Sequence, residues 1–412
     1  MTPAARLQMA IDILQAMEKT DQPADRLLKD WFRTRRFAGS KDRAAIGERV
    51  FAIQRHRSSL AWAMQDDSPR ALVLASVARD GDDPDLLFTG QAYAPAALTE
   101  DEHRRLKAPR GETPLYVEGE FPAFLEPELT RAFGDRVLRE MAALQARAPV
   151  DLRVNTLRRE RGEVLEALVA QGFAATPTPY APHGIRIVDG SAALGRTAMF
   201  ESGAFEFQDE AAQIAAVLCK ARPDRRILDL AAGAGGKSLA LAALMRNEGR
   251  IVATDMRAAA LQELERRAAR AGATIIDTRA PDGVFDIVLL DAPCSGTGTW
   301  RRQPELRWRL TSERLEELKT TQGALLKQAA QYVKPGGRLV YATCSILPSE
   351  NEDRIGAFLA SHSDFTVVPA ADVWRAAVSP APPPGVDRFF RASPFSTGTD
   401  GFFAAVLQRP PG

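Results

Sequence analysis

The sequence predicts an α/β protein in which a doubly wound, mostly parallel sheet follows an all-α region and a small α+β region. Residues 1 to about 75 carry apolar side chains at helical spacing, and short strands and one helix follow at 151–188. From about residue 206, apolar strands alternate with long amphipathic helices. Such alternation is typical of a parallel sheet with helices on both faces, because each return of the chain runs through a helix.

Length and composition limit the class of protein. A chain of 412 residues exceeds one ordinary domain, and we expect three domains, at 1–120, 121–205 and 206–412. Three cysteines exclude a disulfide framework and fit a reducing compartment. The sequence has no membrane-spanning run and no signal-peptide core, and its four histidines lack metal-ligand spacing. We therefore expect a cytoplasmic monomer without a metal ion.

The helical N-terminal region is unevenly charged. Residues 26–57 hold ten arginines or lysines against three acidic residues, and Arg33, Arg35 and Arg36 form a dense cluster. One interpretation is a solvated helix face, which is what charge runs usually are. The other is contact with RNA phosphates, because a net charge of only +1 leaves nucleic-acid binding to local patches.

Proline and glycine mark the connections. Residues 80–115 predict an irregular connection, and the proline-rich stretch 379–384 predicts a surface loop. Helices are predicted at 121–145, 161–171, 258–271 and 312–332. Strands are predicted at 151–157, 184–188, 226–230, 250–254, 274–276, 285–290, 337–343 and 402–407.

A glycine-rich turn follows the strand at 226–230. Small residues there let the backbone approach a ligand, and the next helix begins with free N–H groups. The candidate cofactor residues of this turn are Asp229, Ala232, Gly233, Gly235, Gly236 and Lys237. The turn is not a Walker loop, because Ala231 stands where that pattern requires glycine. Dinucleotides and S-adenosylmethionine both fit such a turn.

Acidic residues follow the next three strands of the region. Asp255, with Arg257 beside it, lies about 20 residues after the turn, where an acid binds ribose hydroxyls. Asp277 is well placed for an adenine amino group, and Asp291 follows the fourth strand. Any one of these acids could instead cap a helix. The series together with the turn predicts a nucleotide-type cofactor.

Two of the three cysteines follow strands of the same sheet. Cys294 comes after the strand at 285–290 and Cys344 after the strand at 337–343, so both belong near the edge where ligands bind. They could serve as a nucleophile and a helper, or both could be small buried core residues. Cys219 ends a helical stretch and fits the core alone.

Arginines and tryptophans alternate after Cys294. Arg301, Arg302 and Arg307 lie between Trp300 and Trp308, a composition that suits phosphate contact and base stacking. The alternative interpretation is a loop packed by its tryptophans.

These motifs together resemble the RNA cytosine-5 methyltransferases. The matching segments are 207–210, 229–237, 291–296, 341–345, 350–352 and 399–403. The resemblance covers residues from about 122 to 407, and a cysteine after Asp-Ala-Pro with a second one after Ala-Thr is specific to that family. Residues 42–62 are similar to a NusB-type helical domain, which is typical of the bacterial branch acting on 16S ribosomal RNA. One departure is Ala234, which replaces the proline usual in the family's turn.

The resemblance implies a Rossmann-like, S-adenosyl-L-methionine-dependent methyltransferase domain behind a NusB-like RNA-binding domain. It implies that Cys344 attacks carbon 6 of cytosine, that Asp291 holds and protonates nitrogen 3, and that Cys294 assists product release. Lys237 would meet the methionine carboxylate of the cofactor. The target base must be unpaired or extruded. The same chemistry on transfer RNA and a non-catalytic RNA-binding assembly protein are the alternatives.

Overall fold

The structure is a computed structural model that describes residues 1–189, 191–378 and 382–412. By internal packing the chain divides into unit 1, Met1–Gln145 with Trp300–Leu310, and unit 2, Ala146–Thr299 with Thr311–Gly412. The predicted boundaries after residues 120 and 205 stay predictions, because packing units do not test where a fold domain ends. The predicted loop at 379–384 lies outside the described residues in its first half.

Unit 1 is built from helices. Their bounds are α1 Pro3–Met17, α2 Ala24–Thr34, α3 Ser40–Arg55, α4 Arg57–Met64, α5 Pro69–Arg79, α6 Pro84–Leu87, α7 Glu100–Lys107, α8 Leu115–Glu118, α9 Glu126–Phe133 and α10 Val137–Gln145. The first helix begins where the Thr2 side chain accepts a hydrogen bond from the Ala5 N–H, with proline at its first position. Helices α1, α3 and α5 pack together through fully buried side chains such as Ile13, Ile53 and Leu72.

The stretch 80–115 is more ordered than the sequence predicted. It contains the two short helices α6 and α7, and α8 begins at its last residue. Helix α7 begins with a capping box in which Thr99 and Glu102 each satisfy the other's backbone N–H. Proline and glycine in this stretch separate short helices rather than excluding them. None of the helices in the described part of the chain is long and apolar enough to cross a membrane.

The first part of unit 2 is a small antiparallel α+β layer. Its elements are β1 Val150–Val154, α11 Arg161–Ala170, β2 Ala174–Pro177, β3 Gly184–Asp189, α12 Ala198–Glu201 and β4 Phe205–Phe207. The strand order is β2-β3-β1-β4, and all neighbours run antiparallel. Leu152, Ile185 and Phe205 are buried on its core side. This is the predicted α+β region.

A larger sheet forms the rest of unit 2. Its strands are β5 Arg225–Asp229, β6 Gly249–Ala253, β7 Ile276–Asp277, β8 Phe285–Asp291, β9 Val333–Thr343, β10 Thr366–Val368, β11 Phe390–Ala392 and β12 Phe402–Gln408. The helices along the same stretch of chain are α13 Glu210–Leu218, α14 Gly236–Leu244, α15 Ala258–Ala271, α16 Leu306–Arg309 (in unit 1), α17 Ser312–Gln331, α18 Glu352–Ser361, α19 Ala370–Ala377 and α20 Pro394–Thr397.

The order of this sheet explains where a ligand can bind. It reads β10-β12-β9-β8-β5-β6-β7, with β11 beside β12; β5 to β9 are parallel and β10 to β12 antiparallel. From β5 the chain winds outward to β7 and then returns to β8 on the other side. This Rossmann-like reversal leaves a crevice at the carboxyl ends of β5 and β8, the usual place for a ligand.

Candidate active site

The glycine-rich turn joins β5 to α14 at this crevice. Ala232 N–H donates to the Thr254 carbonyl at 2.8 Å, which ties the turn to the end of β6. Gly233 and Gly235 have φ of +55° and +81°. A Cβ on Gly235 would lie 2.5 Å from Leu264 Cγ, so only glycine fits there. Gly236 then begins α14.

Asp255 fastens the turn from the neighbouring strand. Its carboxylate accepts the Gly233 N–H at 2.9 Å and the Arg257 N–H at 2.8 Å, and Arg257 Nε lies at 3.1 Å. Although burial raises the pKa of Asp255, these bonds to Arg257 and Gly233 outweigh burial and hold it below the usual range. A fixed carboxylate beside a glycine-rich turn suits ribose hydroxyls, and the predicted role of Asp255 stays a prediction.

One carboxylate oxygen of Asp229, at the start of the turn, accepts no hydrogen bond from the described residues. Its other carboxylate oxygen accepts a hydrogen bond from Ser238 Oγ at 2.6 Å. The first oxygen, Oδ1, is buried and has no hydrogen-bond partner within the described part of the chain. Burial raises the pKa of Asp229 to about 7. Such a site fits a cofactor that brings a hydrogen-bond donor.

Lys237 and Asp291 form an ion pair in the crevice. Lys237 Nζ lies 2.6 Å from Asp291 Oδ2 and 5.1 Å from the centre of the Phe402 ring. Burial opposes the charge of Lys237, but the Asp291 carboxylate more than offsets it and raises the pKa of Lys237. In this structure Lys237 therefore faces Asp291, and its contact with a cofactor carboxylate stays a prediction.

Asp277 ends β7 and is held by two guanidinium groups. Arg279 Nη2 lies at 2.8 Å and Arg250 Nη2 at 2.9 Å from Asp277 Oδ2. Hydrogen bonds from Arg279 keep the pKa of Asp277 well below its usual range. An adenine amino group would share this carboxylate with the arginines, so the predicted role of Asp277 also stays a prediction.

The two cysteines after β8 and β9 meet at the same edge. Cys294 Sγ and Cys344 Sγ lie 3.4 Å apart, and both residues are half-buried. The hydrogen bond with Cys344, together with burial, raises the pKa of the Cys294 thiol well above its ordinary value. Cys219 is fully buried in the core. The structure thus brings Cys294, Cys344, Asp291 and Lys237 into one crevice.

Sequence reasoning missed the buried polar groups behind the cysteines. Glu350, Asn351 and Gln322 are buried and hydrogen-bonded to the residues that flank the two thiols. The only signal was the Glu-Asn-Glu segment at 350–352, which carried the family resemblance without pointing to a role.

The predicted RNA-contacting arginines of the N-terminal region lie at the end of α2 and just beyond it. Arg33 pairs with Asp30 at 3.0 Å, and Arg35 stacks over the Trp31 ring at 3.7 Å. Arg36 is exposed, and the adjacent Phe37 is 71% exposed. Arg33 and Arg36 are exposed and Arg35 is half-buried, which both interpretations of the cluster allow.

The arginines after Cys294 belong to unit 1. Arg307 is fully buried there and donates to the Glu120 carbonyl at 2.6 Å, and burial lowers its pKa to about 10. Trp300 and Arg301 are buried too, whereas Arg302 is exposed. The placement of Arg301 and Arg307 therefore corresponds to the alternative interpretation, a packed segment. Phosphate contact stays open for Arg302.

Known families match most of unit 2. Residues 216–408 match the family model for "16S rRNA methyltransferase RsmB/F", and residues 121–192 match the "Methyltr_RsmF/B-like, ferredoxin-like domain". The second match agrees with the antiparallel layer formed by β1 to β4, whose last strand lies just beyond it.

Curated relatives extend further along the chain. A Pseudomonas syringae ribosomal RNA small subunit methyltransferase B is 32% identical over 88% of this chain and 76% of its own. A probable methyltransferase B of Bacillus subtilis is 30% identical over 72% of this chain and 68% of its own. The match to a Synechocystis protein of the same description, 35% identical, covers 60% of this chain and 58% of that protein. The chain thus spans less than two thirds of that last relative.

One solved structure resembles nearly the whole chain, and a second resembles about two thirds of it or more. The crystal structure of PH0851 matches with a TM-score of 0.79 at 26% identity and covers 99% of both chains. A methyltransferase homolog protein from Pyrococcus horikoshii matches with a TM-score of 0.61 at 26% identity, over 71% of this chain and 97% of that one.

Proposed function

We propose that this chain methylates carbon 5 of a cytosine in 16S ribosomal RNA, because it belongs to the RsmB/F family of 16S rRNA methyltransferases. The observation that carries this proposal is the pair of thiols, Cys294 and Cys344, 3.4 Å apart beside the carboxylate-lined crevice. Carbon 5 and carbon 6 of cytosine are adjacent ring atoms, so two neighbouring thiols can act on them in turn.

The thiols would divide the reaction between them. Cytosine is a poor carbon nucleophile, and addition of the Cys344 thiolate to carbon 6 makes carbon 5 electron-rich. Asp291, once it has taken up the proton of the Cys344 thiol, holds ring nitrogen 3 and supplies that proton to neutralise the adduct. Cys294 loses its own proton to water, and after carbon 5 has been methylated its thiolate accepts the carbon-5 proton. The bond from carbon 6 to Cys344 then breaks, the ring double bond re-forms and nitrogen 3 returns its proton.

S-adenosylmethionine would supply the methyl group, and the crevice offers the groups to hold it. Asp255 suits the ribose hydroxyls, and the unpartnered oxygen of Asp229 accepts a donor at the turn. Lys237 would balance the cofactor carboxylate, with support from the N-terminus of α14. In this proposal Lys237 exchanges its contact with Asp291 for that carboxylate, which frees Asp291 for the base.

The experiment is bisulfite sequencing of total RNA from a strain that lacks the protein. We expect one cytosine of 16S ribosomal RNA to lose its methyl group and to regain it when the wild-type chain is restored. Restoring the Cys344→Ala variant should not return the methyl group. Loss of a methyl group from transfer RNA instead would favour the transfer-RNA alternative, and no change in any RNA would refute methyltransferase activity.

A further inference from the structure

Behind the two thiols lies a buried polar cluster that the proposed chemistry does not use. Glu350 ends the short 3₁₀ turn Pro348–Glu350 and Asn351 follows it, and both are buried together with Gln322 of α17. Burying a carboxylate and two amides is costly unless each finds partners. The partners they find are the residues on either side of the cysteines.

Glu350 and Gln322 hold the loop that carries Cys294. Glu350 Oε1 accepts the Ser295 N–H at 2.9 Å, and its other oxygen accepts the Ser295 hydroxyl. Gln322 Nε2 donates to the Pro293 carbonyl at 3.0 Å and to Glu350 Oε1 at 2.9 Å. Pro293 and Ser295 are the two neighbours of Cys294, so this thiol is fixed from both sides.

Asn351 does the same for Cys344. Its side-chain oxygen accepts the Thr343 hydroxyl at 2.6 Å, and its Nδ2 donates to the Ser345 carbonyl at 2.9 Å. Thr343 and Ser345 are the two neighbours of Cys344. A further contact, Thr297 Oγ1 to Ser345 Oγ at 3.1 Å, joins the two cysteine loops directly.

We propose that Glu350 and Asn351 are positioning residues that together set the distance between the thiols of Cys294 and Cys344. Each of these adjacent residues fixes one cysteine loop, so the distance between the two thiols depends on both sets of contacts. The inference rests on the proposed function, in which Cys344 attacks and Cys294 releases. Loosening one loop should therefore disturb one step and spare the other.

Two single variants separate the loops. Gln322→Ala loosens the Cys294 loop, so the protein–RNA adduct should form normally and persist at least about tenfold longer than in the wild type. Asn351→Ala loosens the Cys344 loop, so the adduct should form at least about tenfold more slowly. Rapid quenching of a single turnover with unmethylated 16S RNA, followed by a denaturing gel, measures both rates.

The chain offers matched controls for both variants. Gln213 is a buried glutamine that donates to the Leu152 and Gln208 carbonyls, and Asn155 is a buried asparagine that donates to the Gly203 and Ala271 carbonyls. Gln213→Ala and Asn155→Ala remove equivalent bonds away from the thiols. They should leave the formation and decay of the adduct unchanged.

A second measurement reports the thiol spacing without RNA. Phenylarsine oxide condenses with two neighbouring thiols, forms two As–S bonds and releases one water. Capture depends on the effective concentration of one thiol at the other. We expect Gln322→Ala and Asn351→Ala to weaken capture by about tenfold or more, with the controls at the wild-type value. S-adenosylmethionine affinity should stay unchanged in all four variants.

The conservative variant Glu350→Gln should retain most of the arsenical capture. Its amide oxygen can still accept hydrogen bonds from Ser295 and Gln322, and the Ser295 hydroxyl can turn to accept one from the new NH₂ group. Glu350→Ala should lose the capture. Equal capture by all variants, or adduct formation and decay slowed alike in the Gln322 and Asn351 variants, would overturn the positioning role. Absence of any adduct in both the wild type and Cys294→Ala would refute the two-cysteine chemistry, and arsenical capture alone would then decide the positioning.

Discussion

Gly298 lies where the two cysteine loops meet the loop before β12, and an alanine there should damage the site. The Gly298 N–H donates to the Cys344 carbonyl at 2.9 Å, and the Gly298 carbonyl accepts the Gly401 N–H at 2.9 Å. A Cβ on Gly298 would lie 2.0 Å from the Gly401 carbonyl oxygen and 2.6 Å from Gly401 Cα. Both neighbouring atoms belong to backbone, which cannot turn aside as a flexible side chain does.

The size of the effect follows from these distances. Relief of the overlap with Gly401 requires a backbone shift of about 1 Å, and overpacking of this kind typically costs about 1–3 kcal/mol. Because the Gly298 N–H is hydrogen-bonded to the Cys344 carbonyl, the shift reaches Cys344, the proposed nucleophile. A misplacement of about 1 Å costs about 100-fold in rate. We therefore expect Gly298→Ala to lose about 1–3 kcal/mol of unfolding free energy and about 100-fold in kcat.

Urea unfolding and methyl transfer to unmethylated 16S RNA measure the two quantities. Gly323→Ala is the matched control, because a Cβ at this position in α17 meets no atom within 4 Å. That control should gain about 0.5–1 kcal/mol from helix propensity and keep its activity. Wild-type stability and rate in Gly298→Ala would show that this close approach does not hold the nucleophile.

Three further perturbations test other parts of the account. Asp255→Ala should weaken S-adenosylmethionine binding by about 100-fold in calorimetry, since hydrogen bonds to a charged group contribute about 1.5–3 kcal/mol each; unchanged affinity would remove Asp255 from the site. Replacing Arg33, Arg35 and Arg36 with alanine should reduce the steepness of log RNA affinity against log salt concentration by about 2 if each arginine contacts a phosphate. Cofactor affinity should stay unchanged, and an unaltered slope would favour a solvated helix face. The folded-state pKa of Asp229 is about 7, against an ordinary 3.8. The folding stability that depends on its protonated form is therefore fully present below pH 3.8 and is lost as the pH rises through 7. Asp229→Asn should therefore gain stability relative to the wild type between pH 5 and pH 8 in urea unfolding, and a constant difference would contradict the buried, ionising carboxylate.

The sequence predicted β5, β6 and β8 well because each of these strands carries consecutive apolar residues. The predicted strands at 226–230 and 285–290 correspond to Arg225–Asp229 and Phe285–Asp291. The run at 402–407 was also recognised, but its antiparallel insertion beside β9 was not. Strand direction depends on how the chain returns to the sheet, and an apolar run contains no information about that return.

The sequence predicted part of the arrangement of the two thiols. Both cysteines follow strands of one parallel sheet, so their position near its carboxyl edge could be predicted. The pairing of β8 with β9, which brings the thiols to 3.4 Å, could not. The functions of Glu350 and Gln322 could not be anticipated, because their partners are 28 to 55 residues distant in the sequence. Likewise, nothing local predicts that Arg307 packs into unit 1 although the residues on either side of 300–310 belong to unit 2.

The central claim is that two cysteines divide attack and release, and covalent trapping tests it most directly. Cys294→Ala and Cys344→Ala are each incubated with S-adenosylmethionine and unmethylated 16S RNA from the deletion strain, then run on a denaturing gel. We predict that Cys294→Ala accumulates a protein–RNA adduct, whereas Cys344→Ala forms none and transfers no methyl group. An adduct in Cys344→Ala with none in Cys294→Ala would reverse the two roles, and methyl transfer by Cys344→Ala would contradict the covalent mechanism.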